Sequence, residues 1–275
     1  MSPRSRRLSV SAPLLVLVLA ACSGGAGQPD VEVRPFEEVQ DSEFSFELDP
    51  TNPERGIFRV DTTEEMICAI VWGEDESLGN FNNSLDMAGT GIIEHDVFLP
   101  GAEPGVEYHF VVQGTTADGN LYRSEMGTFV LPEPEGGTST SPDDRANLAT
   151  DATVTSFSSE FNDAFAAVNA IDGDLSTEWS TAGDGDDAEI TVDLGTASDV
   201  SGFEFLTRSM TDGSAIAETY SVVVDASERL GPFPAGNPAE PRTQDVEVTG
   251  QVFTFEVETS TGGNTGAVEI RILGD

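Results

Sequence analysis

Apolar and polar residues alternate in short segments along most of the chain. At residues 44–48 (FSFEL) apolar side chains occupy every second position, and strand-like runs also occur at residues 57–60, 66–72 and 106–113. A period of two is typical of a β-strand with one buried face. Turns rich in Gly, Pro and Asp separate the runs, and no amphipathic segment is long enough to predict a helix. The pattern therefore predicts an all-β protein.

The start of the chain has the pattern of an export signal. Arginines precede an apolar run at residues 13–21, and small residues then lead into Cys22. Residues 19–22 (LAAC) resemble a bacterial lipobox, which implies that Cys22 is diacylated and becomes the mature N-terminus. An ordinary cleaved signal with an incidental cysteine is the alternative. We expect residues 1–22 to be a lipoprotein signal peptide, residues 23–30 a flexible tether, and the protein to be exported and lipid-anchored at the cell envelope, facing outward.

A segment without apolar periodicity divides the remainder. Residues 133–146 are rich in Pro, Gly, Ser and Thr, which predicts an extended, solvated linker. It separates a domain at residues 31–132 from a second at residues 147–275, and each is long enough to build a core. Cys68 lies in an apolar run and has no cysteine partner once Cys22 carries lipid, so we expect a buried, inert thiol.

The charge balance restricts the possible partners. The chain has 50 acidic and 12 basic residues, all of the latter arginine, and a formal net charge of −38. Binding to nucleic-acid phosphates or anionic lipid headgroups requires positive charge, so we expect no nucleic-acid partner and membrane contact only through the lipid anchor. The acidity is explained either by adaptation to high salt, where repulsion is screened, or by a cationic partner. We favour the halophilic interpretation because the acidic residues are spread over both domains.

The first domain carries one family motif. Residues 99–110 (LPGAEPGVEYHF) resemble the corner of fibronectin type III domains. The resemblance implies an immunoglobulin-like sandwich in which the phenol of Tyr108 bonds back to the preceding loop and Trp72 lies in the core. His95 and His109 have no companion ligands for zinc, so we expect ordinary structural roles for them.

The second domain carries four motifs in order. Residues 166–180 contain the pattern A-x-D-G-x-x-x-T-x-W, and residues 188–195, 200–205 and 266–272 fit strands that follow it. Together they resemble the discoidin, or coagulation factor 5/8 type C, family. That resemblance implies a jelly-roll β-sandwich, with Trp179 in the core, in a family that includes many bacterial carbohydrate-binding modules.

Oxygen-bearing side chains crowd the glycine-containing turn at residues 172–177, which suits a hard cation. Calcium takes about six to eight oxygen ligands, backbone carbonyls included. The family resemblance implies a structural Ca²⁺ held by this turn and a glutamate of the last strand. By matching position, the candidate ligands are Asp172, Asp174, Thr177 and Glu269, with the carbonyls of Ala170 and Ala267. The alternative is an Asx turn with Glu269 as a surface residue.

Ligand contacts are expected from loops at one end of this sandwich, where aromatic rings stack on sugars and polar groups bind hydroxyls. Arg208 and Asn264 occupy positions where sugar-binding members of the family often have an arginine and an asparagine. The other loop candidates are Phe161, Phe165, Phe233 and Asp212. A structural role is the alternative for each, and residues 212–213 in particular fit a hairpin turn. The domain has no histidine, which departs from the galactose-binding pattern and leaves the sugar open.

The sequence shows no matched set of catalytic residues. It lacks the G-x-S-x-G, H-E-x-x-H and phosphate-loop motifs, and carboxylates are too numerous for a pair of them to be informative. We therefore expect a non-catalytic lipoprotein that binds a glycan or cell-envelope polymer through its C-terminal domain, with the first domain as a spacer. The alternative is a structural lipoprotein that docks a neighbouring surface protein.

Overall fold

Two β-sheets account for most of the residues that the computed structural model describes, which are residues 32–84, 91–133 and 145–274. Within these ranges there is no α-helix, only short 3-10 turns at Phe36–Glu38, Asp163–Phe165, Ala167–Ile171 and Gly185–Asp187. The all-β prediction is confirmed. The predicted signal peptide, Cys22 and most of the predicted linker lie outside the described residues. None of the helices in the described part of the chain is long and apolar enough to span a membrane.

The first sheet forms what we call the N-terminal sandwich. Its eight strands among the described residues are β1 (Val33–Pro35), β2 (Ser45–Asp49), β3 (Asn52–Gly73), β4 (Asn80–Asn83), β5 (Ile92–Pro100), β6 (Glu107–Thr116), β7 (Leu121–Arg123) and β8 (Gly127–Val130). The long strand β3 pairs with β2 and β5 in its first half and with β4 and β6 in its second half. One continuous strand thereby pairs with four others.

Aromatic rings fill the core of the N-terminal sandwich. Trp72 is buried and meets the ring of Tyr108 edge-on, with centroids 5.1 Å apart. The Glu103 N–H donates to the Tyr108 hydroxyl at 2.9 Å, which is the contact that the predicted tyrosine corner requires. Cys68 is buried as predicted, and its burial raises the pKa of the thiol to about 12, so the nucleophilic thiolate is suppressed.

The second sheet forms the C-terminal sandwich. In the described part of the chain its strands are β9 (Ala146–Asn147), β10 (Thr153–Phe157), β11 (Trp179–Ser180), β12 (Glu189–Thr207), β13 (Ala217–Val224), β14 (Glu228–Pro234), β15 (Gln244–Ser260) and β16 (Gly266–Gly274). They follow the order β11-β16-β12-β15-β13-β14, with β10 on β12 and β9 on β16. Trp179 is fully buried among this core, as predicted, and the Trp179 indole N–H donates to the Ser159 carbonyl at 3.0 Å.

Both sandwiches belong to one compact unit, Glu32–Asp275. They meet at the loop end of the C-terminal sandwich, where the turn before β3 and the start of β3 contact the segments around residues 175–178 and 208–209. The two modules are therefore joined by a defined interface.

Candidate functional site: the loop end of the C-terminal sandwich

The first loop of this end is shaped by side-chain caps. The Asn162 side chain accepts from the Ala164 N–H at 2.9 Å, and Glu160 accepts from the Ala167 N–H at 2.7 Å. These contacts hold the short 3-10 turn Asp163–Phe165 in place. The half-buried ring of Phe165 is thereby presented at the loop end.

The next loop is the predicted calcium turn. The Asp172 carboxylate accepts from the Asp174 N–H at 2.9 Å and from the Thr177 hydroxyl at 2.8 Å. Gly173 adopts φ +80°, a left-handed conformation that a side chain would strain. The Asp174 carboxylate instead accepts from the N–H and hydroxyl of Ser176. The Asx-turn interpretation is thus correct for the local hydrogen bonds.

Glu269 on β16 lies under this turn and is fully buried. Its carboxylate accepts from the Gly173 N–H at 3.2 Å and from the Asn147 amide at 3.3 Å. Burial raises the pKa of Glu269 to about 8, and the neighbouring Asp172 carboxylate adds to the increase. The alternative that Glu269 is a surface residue is wrong.

The predicted ligand set is only partly assembled. Asp172, Thr177 and Glu269 are brought to one place, and the candidate carbonyl donors Ala170 and Ala267 are buried residues. Among the described residues, no three His, Cys, Asp or Glu side chains form a group that could hold a metal ion. Two carboxylates and a hydroxyl remain, which are hard oxygen donors suited to Ca²⁺ if carbonyls or water complete the shell.

A chain of buried charges crosses the interface, and we call Asp49, Arg55, Glu178 and Arg208 the arginine–carboxylate network. From the N-terminal sandwich, Arg55 binds Asp49 through Nε at 2.7 Å and reaches Glu178 Oε2 through Nη1 at 3.0 Å. Glu178 Oε1 accepts from Arg208 Nη2 at 2.8 Å and Nε at 3.1 Å. Two guanidinium groups and two carboxylates balance in charge, which makes their burial tolerable.

Neutral hydrogen bonds surround this network. Asn52 donates to the Leu175 carbonyl at 2.7 Å, and the hydroxyls of Thr51 and Ser209 lie 2.9 Å apart. The Ala239 N–H donates to the Thr51 carbonyl at 3.2 Å. The interface is therefore bonded through several loops of the C-terminal sandwich.

Arg208 does not face solvent, contrary to the expectation of an exposed ligand contact. Its side chain is 2% exposed, because Glu178 and the Asn264 carbonyl, 2.5 Å from Nη1, occupy the guanidinium. The Asn264 carbonyl thus serves Arg208, while the residue itself is half-buried. Arg208, Asn264 and Phe165 lie together, with the Arg208 Cζ 6.0 Å from the Phe165 ring centroid.

The remaining candidates lie apart from this group. Asp212 accepts from the Ser214 N–H at 2.9 Å within its own turn, and these bonds lower the pKa of the Asp212 carboxyl. The strands on either side of this turn, β12 and β13, do not pair with each other, so the turn is a local one and not the hairpin turn of the alternative. Phe233 on β14 packs against Tyr220 with ring centroids 5.7 Å apart, so it contributes to the core.

A cleft of about 350 Å³ opens beside the network, within the size range of small-molecule sites. Its lining includes Phe81, Asn82 and Asn83 of β4 together with Phe165 and Ser176 of the C-terminal sandwich. The buried floor is made by Arg55, Glu178 and Phe98. Both sandwiches therefore contribute to its walls.

Sequence reasoning missed the contribution of the N-terminal sandwich. Phe81 is 65% exposed, and a large aromatic residue in the run NFNN is a signal that could have been noticed. Arg55 and Glu178 gave no such signal, because charged residues between turns are typical of a solvated surface.

Fold and site together define an all-β chain with a cleft at the junction of its two sandwiches, and domain interfaces are a common position of ligand sites. Residues 152–269 match the family model described as "F5/8 type C domain", and this part of the chain is an F5/8 type C domain with a jelly-roll fold. The resemblance noted for the second domain is confirmed.

Several solved structures are similar to this part of the chain. Chitosan-binding module 1 of a chitosanase/glucanase from Paenibacillus sp. IK-5 is 21% identical, with 47% of this chain and 99% of that chain covered and a TM-score of 0.37. The family 32 CBM from C. perfringens NanJ, in complex with galactose, is 20% identical, with coverage of 47% and 98% and a TM-score of 0.41. A Streptococcus pneumoniae fucose binding module is 16% identical, with coverage of 48% and 98% and a TM-score of 0.39. No curated protein matches the chain.

Proposed function

We propose that this chain is a non-catalytic lipoprotein that binds a carbohydrate through its C-terminal F5/8 type C domain. The F5/8 type C match of residues 152–269 carries the proposal, since this family includes many bacterial carbohydrate-binding modules. The position of Phe165 at an open cleft supports it, because an aromatic ring offers a flat surface to the apolar face of a sugar.

The proposal also includes export and anchoring of this domain at the outer face of the cell envelope. Cys22 carries the lipid anchor, and the N-terminal sandwich, of fibronectin type III type, holds the binding domain away from the membrane. The expected partner is a glycan or a cell-envelope polymer. Incorporation of a labelled fatty acid that is lost in Cys22→Ser tests the anchor, and equal labelling of the two proteins would contradict it.

A structural Ca²⁺ completes the proposal. Asp172 and Glu269 would hold it, with Thr177 and the carbonyls of Ala170 and Ala267. The buried Glu269 carboxylate supports this role, because its burial raises the pKa and a bound cation would favour the ionised form. The ion would tie the turn to the last strand, and Asp174 would act by shaping the turn through Ser176.

A glycan array tests the binding function directly. The full chain is applied to an array that contains galactose, fucose and N-acetylglucosamine trimer, and retention must be competed by the free sugar. Phe165→Ala should weaken binding, whereas Phe157→Ala, which removes an exposed ring of β10 outside the cleft, should not. Silence across the array, with recovery of one stoichiometric envelope protein, would favour the docking alternative.

A further inference from the structure

The exposed ring of Phe81 has no role in the core of either sandwich. It lies on the short strand β4, which pairs with β3. A phenyl ring that is 65% exposed loses the benefit of burial, yet this one lines a cleft that is also lined by Phe165. Two aromatic rings from different sandwiches therefore line one cleft.

Polar groups beside the rings suit hydroxyl recognition. The Trp72 indole N–H donates to the Asn82 Oδ1 at 2.8 Å, so the core tryptophan fixes the orientation of this amide. With its oxygen occupied, Asn82 keeps the Nδ2 group as the donor for a ligand. Asn83 and Ser176 add further neutral polar groups to the lining.

The floor of the cleft carries no net charge to attract an ion. Arg55 Nε, Nη1 and Nη2 are engaged by Asp49, Glu178 and Ser209, and its Cζ lies 3.7 Å from the Phe98 ring centroid. Glu178 is likewise shared between two guanidinium groups. The cleft is thus lined by aromatic and neutral polar groups over a compensated floor, which is the chemistry of an uncharged saccharide site.

The interface also keeps the two walls at a fixed separation. The network and the Asn52–Leu175 contact join the two sandwiches, and Arg55 and Glu178 of the network also line the cleft. A preformed cleft does not have to be ordered when a ligand binds, which reduces the entropic cost of association.

We propose that the N-terminal sandwich supplies half of the ligand site, and that an uncharged saccharide unit lies between Phe81 and Phe165 with Asn82 as a hydrogen-bond donor. This deepens the proposed carbohydrate binding and rests on it. The N-terminal sandwich is then a part of the binding surface as well as a spacer.

The test measures the affinity of the full chain and of three matched variants for galactose, fucose, N-acetylglucosamine trimer and a sialylated galactoside. Phe81→Ala and Phe165→Ala should each weaken binding to the same uncharged probe by roughly tenfold or more, as expected for loss of a stacking ring. Phe157→Ala removes a comparable exposed ring elsewhere and should leave the affinity unchanged. Circular dichroism checks that all three variants fold.

The possible outcomes separate the two proposals. Loss of binding in Phe165→Ala with wild-type affinity in Phe81→Ala would place the ligand on the C-terminal sandwich alone, which overturns this inference but leaves the proposed function standing. Binding restricted to the sialylated probe would overturn the uncharged ligand. Absence of binding to every probe would remove the proposed function, and this inference with it.

Discussion

Replacement of Glu178 by Gln is the sharpest perturbation of this molecule. The Glu178 carboxylate is the only member of the arginine–carboxylate network in the described residues that contacts both Arg55 and Arg208. Glutamine preserves the shape of the side chain and one carbonyl acceptor, so the change is mainly electrostatic. Arg208 would keep the Asn264 carbonyl and Arg55 would keep Asp49, but the buried cluster would gain an uncompensated positive charge.

The expected loss of stability is large. Removing one partner of a buried ion pair costs about 3–5 kcal/mol, because the remaining charge stays desolvated. Both guanidinium groups are almost fully buried, so water cannot replace the missing carboxylate. We therefore expect E178Q to lower the free energy of unfolding by about 3–5 kcal/mol, a substantial part of the total of a typical protein.

Urea unfolding followed by circular dichroism measures this loss, since urea leaves the ionic strength unchanged. Glu47→Gln is the matched control, because Glu47 pairs with Arg59 at 2.5 Å while the two side chains are 54% and 37% exposed. That pair should be worth about 1 kcal/mol or less. A loss in E178Q no larger than in E47Q would refute the buried-network reasoning.

Three further predictions concern calcium, pH and salt. Added Ca²⁺ should raise the melting temperature of the wild type and EDTA should lower it, because an ion that binds only the folded state stabilises it. The variant E269Q should show neither shift. A wild-type melting temperature that neither reagent changes would exclude the proposed ion. Burial lowers the pKa of His95 from 6.5 to about 4, so the unfolded chain takes up the proton first and stability should fall as the pH decreases through this window. The contribution of His95 to the pH dependence of the free energy of unfolding is on the order of 3 kcal/mol. This pH dependence should disappear in H95Q and persist in H109Q. Equal pH profiles of stability for wild type and H95Q would contradict the prediction. Finally, the net charge of −38 predicts that urea midpoints rise with added NaCl, and indifference to salt would argue against halophilic adaptation.

Strand positions were predictable from alternation, but their continuity was not. Residues 57–60 and 66–72 read as two strands, whereas the structure has one strand, Asn52–Gly73, with a register shift between Asp61 and Met66 in its pairing with β5. Alternation shows which face of a strand is buried. It does not show whether the chain reverses at a polar stretch or continues through it as the same strand. The same limit applies to β12, which was predicted as two separate strands.

The candidate site was predictable only where its residues are close in sequence. The turn from Asp172 to Thr177 is a local motif, and its hydrogen bonds are those of the Asx turn that the sequence offered as one alternative. The Arg55–Glu178 contact joins residues 123 positions apart, and in a chain with 50 acidic residues no individual carboxylate is distinguishable as a buried partner. The family pattern singled out Arg208, but the burial of this side chain depends on the tertiary contact with Glu178, which the pattern does not contain.

The buried network bears on the role of the N-terminal sandwich. A domain that only spaces its neighbour from a membrane functions equally well on a flexible joint. Buried ion pairs are a weak source of stability compared with apolar packing of the same volume, but each guanidinium N–H requires an acceptor in a defined direction. Arg55 therefore fixes the orientation of the two sandwiches as well as their contact. A fixed orientation matters where both sandwiches line one cleft, because Phe81 and Phe165 contribute to the same lining only while the network holds that geometry.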